Sequence, residues 1–134
     1  MKVKLNGSGL SMFFRDWQIL VFQCLWTIDK PMSCKQIGNW IREKYSTSIS
    51  RASILTFLDT GVEEGYINYN VTTGKGGKFR LYRTVGNESK LIEILLNKLL
   101  EKLLAEWNDE TINAVKKLMS NPLSDSVLKR KLTK

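Results

Sequence analysis

A change in the spacing of apolar residues at Gly65 constrains this fold more than any other feature of the sequence. Before Gly65, apolar residues recur every three or four positions in three short segments, which is the period of helices with one buried face. After it, Ile67, Tyr69 and Val71 alternate with polar residues, which is the period of a strand. The sequence therefore predicts three helices followed by extended chain.

Each of the three helical segments has recognisable ends. The first, 11–28, ends before a proline, because the residue that precedes a proline avoids the helical region of backbone space. The second is predicted over Cys34–Tyr45 after an N-cap at Ser33. The third is predicted over Arg51–Glu64 after an N-cap at Ser50, and a glycine then stops it.

A glycine-rich turn at 73–77 separates two predicted strands and makes them a β-hairpin. The second strand, 78–85, carries Phe79 and Leu81 on one face and Arg80 on the other. We expect Phe79 and Leu81 to hold the hairpin against the helices. The predicted fold class is therefore mostly α with a small β-hairpin, and the domain with this hairpin covers about 10–86.

Two further helices are predicted after the hairpin, a long one over 88–107 and a shorter one that ends near Ser120. Apolar residues cover about half the circumference of the long helix, which is more than contact with one neighbour requires. A flexible basic tail is predicted over 122–134. We expect 87–121 to be a helical dimerisation region whose interface includes Ile92, Leu96, Leu99, Leu103 and Trp107.

The chain is basic, with a formal net charge of +8 and a pI of about 9.6. The excess is uneven: 12 basic and 6 acidic residues lie in 1–86, against 9 and 7 in 87–134. No acidic residue lies between Gly65 and Asn87, which is the segment that contains the hairpin turn and second strand. Such a charge favours a polyanionic partner, nucleic acid first and an anionic membrane surface second.

The composition excludes several classes of enzyme. The sequence has two cysteines and no histidine, which removes Cys/His zinc sites and every His-based catalytic triad. The glycine-rich turn has the letters of a phosphate-binding loop, but a strand follows it, so no helix N-terminus is there to hold a phosphate. We expect a protein that is not an enzyme and that needs no metal and no cofactor.

Four stretches, "DWQILVFQCLW", "MSCKQIGNWI", "SISRASILTFLDTGVEEGYI" and "GGKFRLYR", together resemble the winged helix-turn-helix transcriptional regulators. The resemblance covers about 11–86 and is strongest to the penicillinase-repressor-like and MarR-like groups. It implies a homodimeric regulator that binds double-stranded DNA in a sequence-specific way, with repression as the expected outcome. The third helix would enter the major groove, and the basic wing would lie on the backbone or in the minor groove.

The candidate DNA contacts lie at the start of the third helix and on the wing. Small hydroxyl side chains let a helix approach DNA closely, and the basic side chains of the wing suit phosphate or minor-groove contact. Arg51 is the long basic side chain at the helix start, and the resemblance implies DNA contact at this position. The predicted contacts are Ser48, Ser50, Arg51, Ser53, Thr56, Lys75, Lys78, Arg80 and Arg83.

Two apolar residues of the third helix fit base reading less well. Leu55 and Phe57 lie outside the predicted inner stripe of Ile54, Leu58 and Val62, where polar side chains would be expected. Closure of the core or contact with a thymine methyl group would account for them. If both are exposed, they form an apolar patch that suits a protein partner. The alternative function is therefore a winged-helix interaction subunit of a transcription or chromosome complex.

The two cysteines differ in their predicted surroundings. Cys24 falls on the apolar face of the first helix and is expected in the core. Cys34 begins the second helix beside Lys35, where a thiolate would be favoured and redox sensing would be possible. No secretion signal opens the sequence, and polar residues interrupt the apolar stretch 10–28. We therefore expect a cytoplasmic protein with reduced thiols and no membrane partner.

Overall fold

The computed structural model describes residues 2–120 of the chain. The tail predicted over 122–134 lies outside the described residues. The chain divides into two compact units, the first ending at Leu91 and the second beginning at Ile92. After a short 3₁₀ helix, Gly9–Met12, the elements are α1 Asp16–Ile28, α2 Cys34–Tyr45, α3 Arg51–Glu64, β1 Ile67–Gly74, β2 Gly77–Thr84, α4 Glu88–Glu106 and α5 Asn108–Ser120.

The observed elements confirm the predicted fold class, mostly α with one antiparallel hairpin. The predicted bounds of α2 and α3 are confirmed, whereas α1 begins at Asp16, later than the apolar period indicated. The difference arises because Ser11 is part of the 3₁₀ helix, where its hydroxyl bonds to the backbone of Ser8. Periodicity alone does not distinguish this tight turn from the first turn of an α-helix.

The caps of α2 and α3 explain why these helices begin where they do. Ser33 Oγ accepts a hydrogen bond from the Gln36 amide at 3.1 Å, and Gln36 Oε1 accepts one from the Ser33 amide at 2.9 Å. This reciprocal capping box satisfies two amides that a helix start leaves without partners. Ser50 Oγ likewise accepts from the Ser53 amide at 3.1 Å. The N-caps predicted at Ser33 and Ser50 are thus confirmed.

The core of the first unit is built around a cluster of aromatic rings. The fully buried Phe22 lies with its ring centroid 4.9 Å from Phe14, 5.4 Å from Phe57 and 5.7 Å from Tyr66. The pairs with Phe14 and Phe57 are edge-on, and such pairs contribute roughly 0.5–1.5 kcal/mol each beyond the area they bury. Phe57 therefore closes the core, although the apolar period placed it outside the inner stripe of α3.

The hairpin is held to the helices by Tyr82, whose side chain is buried. Its backbone exchanges two hydrogen bonds with Met32, at 2.8 and 2.9 Å. Of the two residues expected to hold the hairpin, Phe79 is exposed, so the prediction was wrong for it, and Leu81 is half-buried. Strand alternation identifies which side chains share a face, but it does not identify which face meets the helices.

The start of β1 lies directly against α3. A Cβ atom added at Gly61 would overlap the side chain of Ile67 and would lie 2.9 Å from the ring of Tyr66, so only glycine fits this crossing. Gly65, with φ of 91°, then turns the chain from the helix into the strand in a conformation that favours glycine. The two strands pair in register from Ile67 opposite Thr84 to Gly74 opposite Gly77.

The second unit contains most of α4 and all of α5. The Trp107 amide donates to the Leu103 carbonyl at 2.7 Å, and the Thr111 hydroxyl donates to the same carbonyl at 3.2 Å. These bonds satisfy backbone groups at the junction where one helix ends and the next begins. Among the described residues, no helix is long and apolar enough to cross a membrane.

Candidate nucleic-acid interface

The start of α3 displays its predicted polar residues to solvent. Ser48, Ser50, Arg51, Ser53 and Thr56 are all exposed. The Ser50 hydroxyl donates to Ser53 Oγ at 2.7 Å while accepting from the Ser53 amide. The two hydroxyls are therefore mainly occupied with each other and with the helix cap, and contact with DNA at these positions stays a prediction.

A cleft of about 770 Å³ lies between the start of α2, the exposed face of α3 and the wing formed by β1 and β2. Four of its lining residues are cations, one is the acid Asp59, and Leu55 and Phe79 are its large apolar residues. A concave surface with this excess of positive charge concentrates anions at its floor. The cations are Lys35, Arg51, Lys78 and Arg80.

Asp59 joins α3 to the wing across this cleft. Its Oδ1 accepts a hydrogen bond from the Tyr82 hydroxyl at 2.8 Å and forms an ion pair with Arg80 at 3.2 Å. The Arg80 guanidinium also lies 4.2 Å from the ring centroid of Tyr69. Burial, together with the hydrogen bond to Asp59, raises the pKa of Tyr82 to about 12. Arg80 is therefore held in the cleft, partly neutralised by Asp59.

The remaining predicted wing residues occupy three different places. Lys75 lies at the hairpin turn, Lys78 lines the cleft, and both are exposed. Arg83 is exposed on the other side of β2, where its Nη2 donates to the Asp29 carbonyl at 3.3 Å. Asp29 is the left-handed residue that ends α1, so Arg83 has a helix-capping contact away from the cleft. The structure therefore brings Arg51, Lys78 and Arg80 together but leaves Arg83 apart.

A second groove, of about 240 Å³, extends the basic surface along α2. It is lined by Lys35, Asn39 and Arg42 together with Ser48 and Arg51. The three α2 residues are not among the contacts predicted from the sequence. The sequence does contain a signal for them, because their spacings of four and three residues place all three on one face of α2.

The structure does not favour the thiolate that the sequence position of Cys34 made possible. Its side chain is buried, and its Sγ donates to the Arg51 carbonyl at 3.4 Å. Burial raises the pKa of this thiol despite the nearby Arg51 guanidinium, which acts in the opposite direction. Cys24, as expected, lies in the core, where burial raises its pKa to about 12. The sequence placed Cys34 correctly at the helix start but gave no measure of its burial.

The predicted dimer interface lies on a surface with many apolar side chains. Ile92, Leu96 and Trp107 are exposed, and Leu99 and Leu103 are half-buried. Further exposed apolar residues follow on both helices, namely Leu100, Leu104, Ile112, Val115, Leu118 and Met119.

Over 2–120, there is no group of three or more Cys, Asp or Glu side chains that could hold a metal ion.

Comparison with known proteins identifies the fold. No protein-family model matches the sequence, and no curated protein matches it significantly. Among solved structures, Bacillus subtilis PadR in complex with operator DNA has a TM-score of 0.50 at 14% identity, over 89% of this chain and 77% of that chain. At this identity the likeness shows the fold alone: this chain has the winged-helix architecture of that regulator.

Two other structures align less well. A PadR family transcription regulator from Clostridium difficile has a TM-score of 0.46 at 16% identity, over 67% of this chain and 95% of that chain. A proposed transcriptional regulator from Thermoplasma acidophilum has a TM-score of 0.47 at 18% identity, over 65% and 91%. The finer resemblance to penicillinase-repressor-like and MarR-like regulators is not confirmed by the likeness to Bacillus subtilis PadR.

Proposed function

We propose that this protein is a homodimeric, sequence-specific DNA-binding regulator of transcription that acts as a repressor. The observation that carries the proposal is the cleft between α2, α3 and the wing, where four cations and a single acid line one concave surface. The fold supports it as well, because the winged-helix structure of Bacillus subtilis PadR is bound to operator DNA.

The role proposed for each residue in DNA binding follows from where the charges lie. Lys35, Arg42 and Lys78 contact phosphates and supply most of the affinity, as backbone contacts do in protein–DNA complexes. The exposed face of α3 enters the major groove, where Arg51 is placed at the helix start to bond a guanine. Lys75, at the tip of the hairpin, reaches the backbone or the minor groove.

The proposed dimer uses α4 and α5. Their exposed apolar side chains would be costly to leave in water, and a second copy of the chain would bury them. Two copies related by a two-fold axis would place two reading helices on a two-fold operator, with half-sites about one helical turn apart or a multiple of it. The contacts proposed for the interface are those of Ile92, Leu96, Leu99, Leu103 and Trp107.

The proposal is tested by selecting bound duplexes from genomic DNA and titrating them by fluorescence anisotropy over a range of salt concentrations. We expect the affinity to fall steeply as salt rises, because phosphate contacts release counterions. Arg51→Ala should reduce discrimination between the selected duplex and random DNA, whereas Lys78→Ala should weaken both alike. Lys116→Ala, which removes an exposed cation from α5, is the matched control.

Three kinds of result would contradict this proposal. Binding that does not change with salt, or no binding at low salt, would rule out a phosphate-contacting surface. Equal effects of Arg51→Ala and Lys78→Ala on both duplexes would contradict the separate roles of α3 and the wing. An unchanged affinity in all three variants would place the DNA elsewhere on the molecule.

One observation favours a second candidate function, that of a protein-interaction subunit. Leu55 and Phe79 are each 42% exposed and lie in the same cleft, so an apolar side chain of a protein partner would fit between them. Purification of the protein from its source with a stoichiometric partner, combined with no affinity for DNA, would favour this function. The excess of cations in the cleft favours DNA instead.

A further inference from the structure

The exposed face of α3 presents methyl groups at its centre. Ala52, Leu55 and Thr56 are exposed and lie three and four residues apart, so they are neighbours on the helix surface. Leu55 is 42% exposed and forms part of the cleft wall, whereas Ile54, Phe57 and Leu58 of the same helix are buried in the core. The helix thus has one apolar strip that packs in the core of the unit and a second, smaller one that is exposed to solvent.

The same helix has few groups that could read a base by hydrogen bonding. Between Arg51 and Glu64 there is no Asn or Gln, the residues that pair bidentately with adenine. The hydroxyls of Ser50 and Ser53 are bonded to each other. Arg51 remains, with the geometry that suits O6 and N7 of guanine. Besides Arg51, apolar contact is therefore the main means of base discrimination that this face offers.

We propose that α3 recognises thymine through its 5-methyl group, with Leu55 as the principal contact and Ala52 and Thr56 beside it. This inference rests on the proposed DNA-binding function. Thymine is the base that carries a methyl group in the major groove of unmodified DNA, and apolar side chains recognise it by direct contact. Arg51 lies one helical turn before Leu55, so a guanine is expected close to the recognised thymine.

The charges around Leu55 favour DNA over a protein segment as its partner. Lys35, Arg51 and Lys78 line the same cleft and would flank the contact with phosphate-binding groups. An apolar peptide in this position would leave these exposed cations in contact with water, whereas a duplex would contact both the cations and the apolar strip. The partner class is thus a duplex with thymines in its major-groove site.

The test uses the selected duplex with each thymine replaced in turn by deoxyuridine. This replacement removes one methyl group and keeps Watson–Crick pairing. For the unmodified protein, we expect binding about fourfold weaker at one or two positions in each half-site, the effect of losing one buried methyl group. For Leu55→Ala, we expect the thymine and deoxyuridine duplexes to bind equally at those positions.

A matched control is Leu5→Ala, which removes the same atoms from a leucine that is 88% exposed and outside the cleft. This variant should keep the full deoxyuridine profile. Because Leu55 is exposed, Leu55→Ala should also keep the thermal unfolding midpoint of the unmodified protein, which separates a lost contact from a lost fold.

Two outcomes would overturn the inference while DNA binding stands. Either no thymine is sensitive to removal of its methyl group, or the sensitivity persists unchanged in Leu55→Ala, although the duplex is bound with steep salt dependence. If no duplex is bound even at low salt, the proposed function itself fails, and thymine recognition fails with it. Sensitivity at defined thymines that disappears in Leu55→Ala and persists in Leu5→Ala supports the inference.

Discussion

The two units of this protein differ in the share of their large apolar side chains that is buried. In the first, Val21, Phe22, Ile37 and Leu58 are fully buried, and the aromatic rings around Phe22 fill the centre. In the second, many large apolar side chains are exposed, the most exposed being Trp107, Leu118 and Met119 at about 60%. A unit that closes its own core can fold alone, whereas exposed apolar helices are typical of a surface that binds another chain.

The distribution of charge follows the same division. The net excess of basic residues is six over 1–91 and two over 92–134. The first unit therefore combines a closed core with a strongly basic exterior, which suits a polyanion. Under the proposed function, the first unit recognises DNA and the second associates with another chain, so each property could be changed separately by mutation.

The largest expected effect is on the core of the first unit. Phe22→Ala should lower the free energy of unfolding by about 3–5 kcal/mol, because it removes a fully buried ring and leaves a cavity among its aromatic neighbours. Urea denaturation followed by tryptophan fluorescence measures this loss. A loss below about 1 kcal/mol would mean that the aromatic cluster is not the core of this unit.

The next effect concerns association. Leu96→Glu should convert the proposed dimer to a monomer, since it places a charge in the centre of an apolar interface, at a cost of about 2 kcal/mol or more. Sedimentation equilibrium measures the change in dimer dissociation constant. Glu101→Gln, an exposed change on the same helix, is the control. If the Leu96→Glu variant and the unmodified protein associate equally, the proposed interface is wrong.

Raising the pH into the alkaline range should lower the stability of the first unit, because its buried thiol and phenols are held in their protonated forms. Burial raises the pKa of Cys24, Tyr66 and Tyr82 to about 12 in the folded chain. Because these groups lose protons more readily when unfolded, their stabilising contribution is complete below about pH 9 and is lost as pH rises towards 12. Cys24 alone should lower the free energy of unfolding by roughly 1 kcal/mol at pH 10.

Denaturant titrations between pH 8 and pH 11 measure this dependence. Cys24→Ala should flatten the loss of stability between pH 9 and pH 10, whatever its effect on the absolute stability. A stability that stays constant up to pH 11 would contradict the burial of all three groups.

The smallest expected effect is that of the single acid in the cleft. Asp59→Asn keeps an acceptor for the Tyr82 hydroxyl but removes the charge that pairs with Arg80. We expect binding to selected and random duplexes to tighten alike by about 0.5–1 kcal/mol, with a salt dependence steeper by about one counterion. Glu63→Gln, which removes an exposed acid of α3 outside the cleft, is the matched control for an anisotropy titration. Weaker binding in Asp59→Asn would instead mean that the ion pair orients the wing for DNA contact.

Much of this fold is predictable from local sequence signals. Ser33 and Ser50 mark the starts of α2 and α3 because a serine hydroxyl satisfies amides at a helix start. Gly65 marks the end of α3 because glycine readily adopts the positive φ that is found there. These are properties of a few adjacent residues, so no knowledge of tertiary structure is needed. The change of apolar period at Gly65 likewise predicts the order of helices and hairpin.

The predictions that failed depended on packing between distant segments. Tyr82 replaces Phe79 as the residue that holds the hairpin, because Met32, fifty residues earlier, pairs with it. Cys34 is buried by its tertiary surroundings, and its sequence neighbours do not indicate this. The pairing of Arg80 with Asp59 is equally non-local. Sequence spacing identifies which residues are charged or apolar, whereas their partners depend on how the elements pack.

We propose that DNA lies on the surface formed by α2, α3 and the wing of the first unit. Acetylation of lysines, with and without the selected duplex and followed by mass spectrometry, tests this claim residue by residue. We predict that DNA protects Lys35, Lys75 and Lys78, while Lys116 and Lys117 on α5 react at unchanged rates. Protection of the α5 lysines with no protection of Lys35 and Lys78 would contradict the claim.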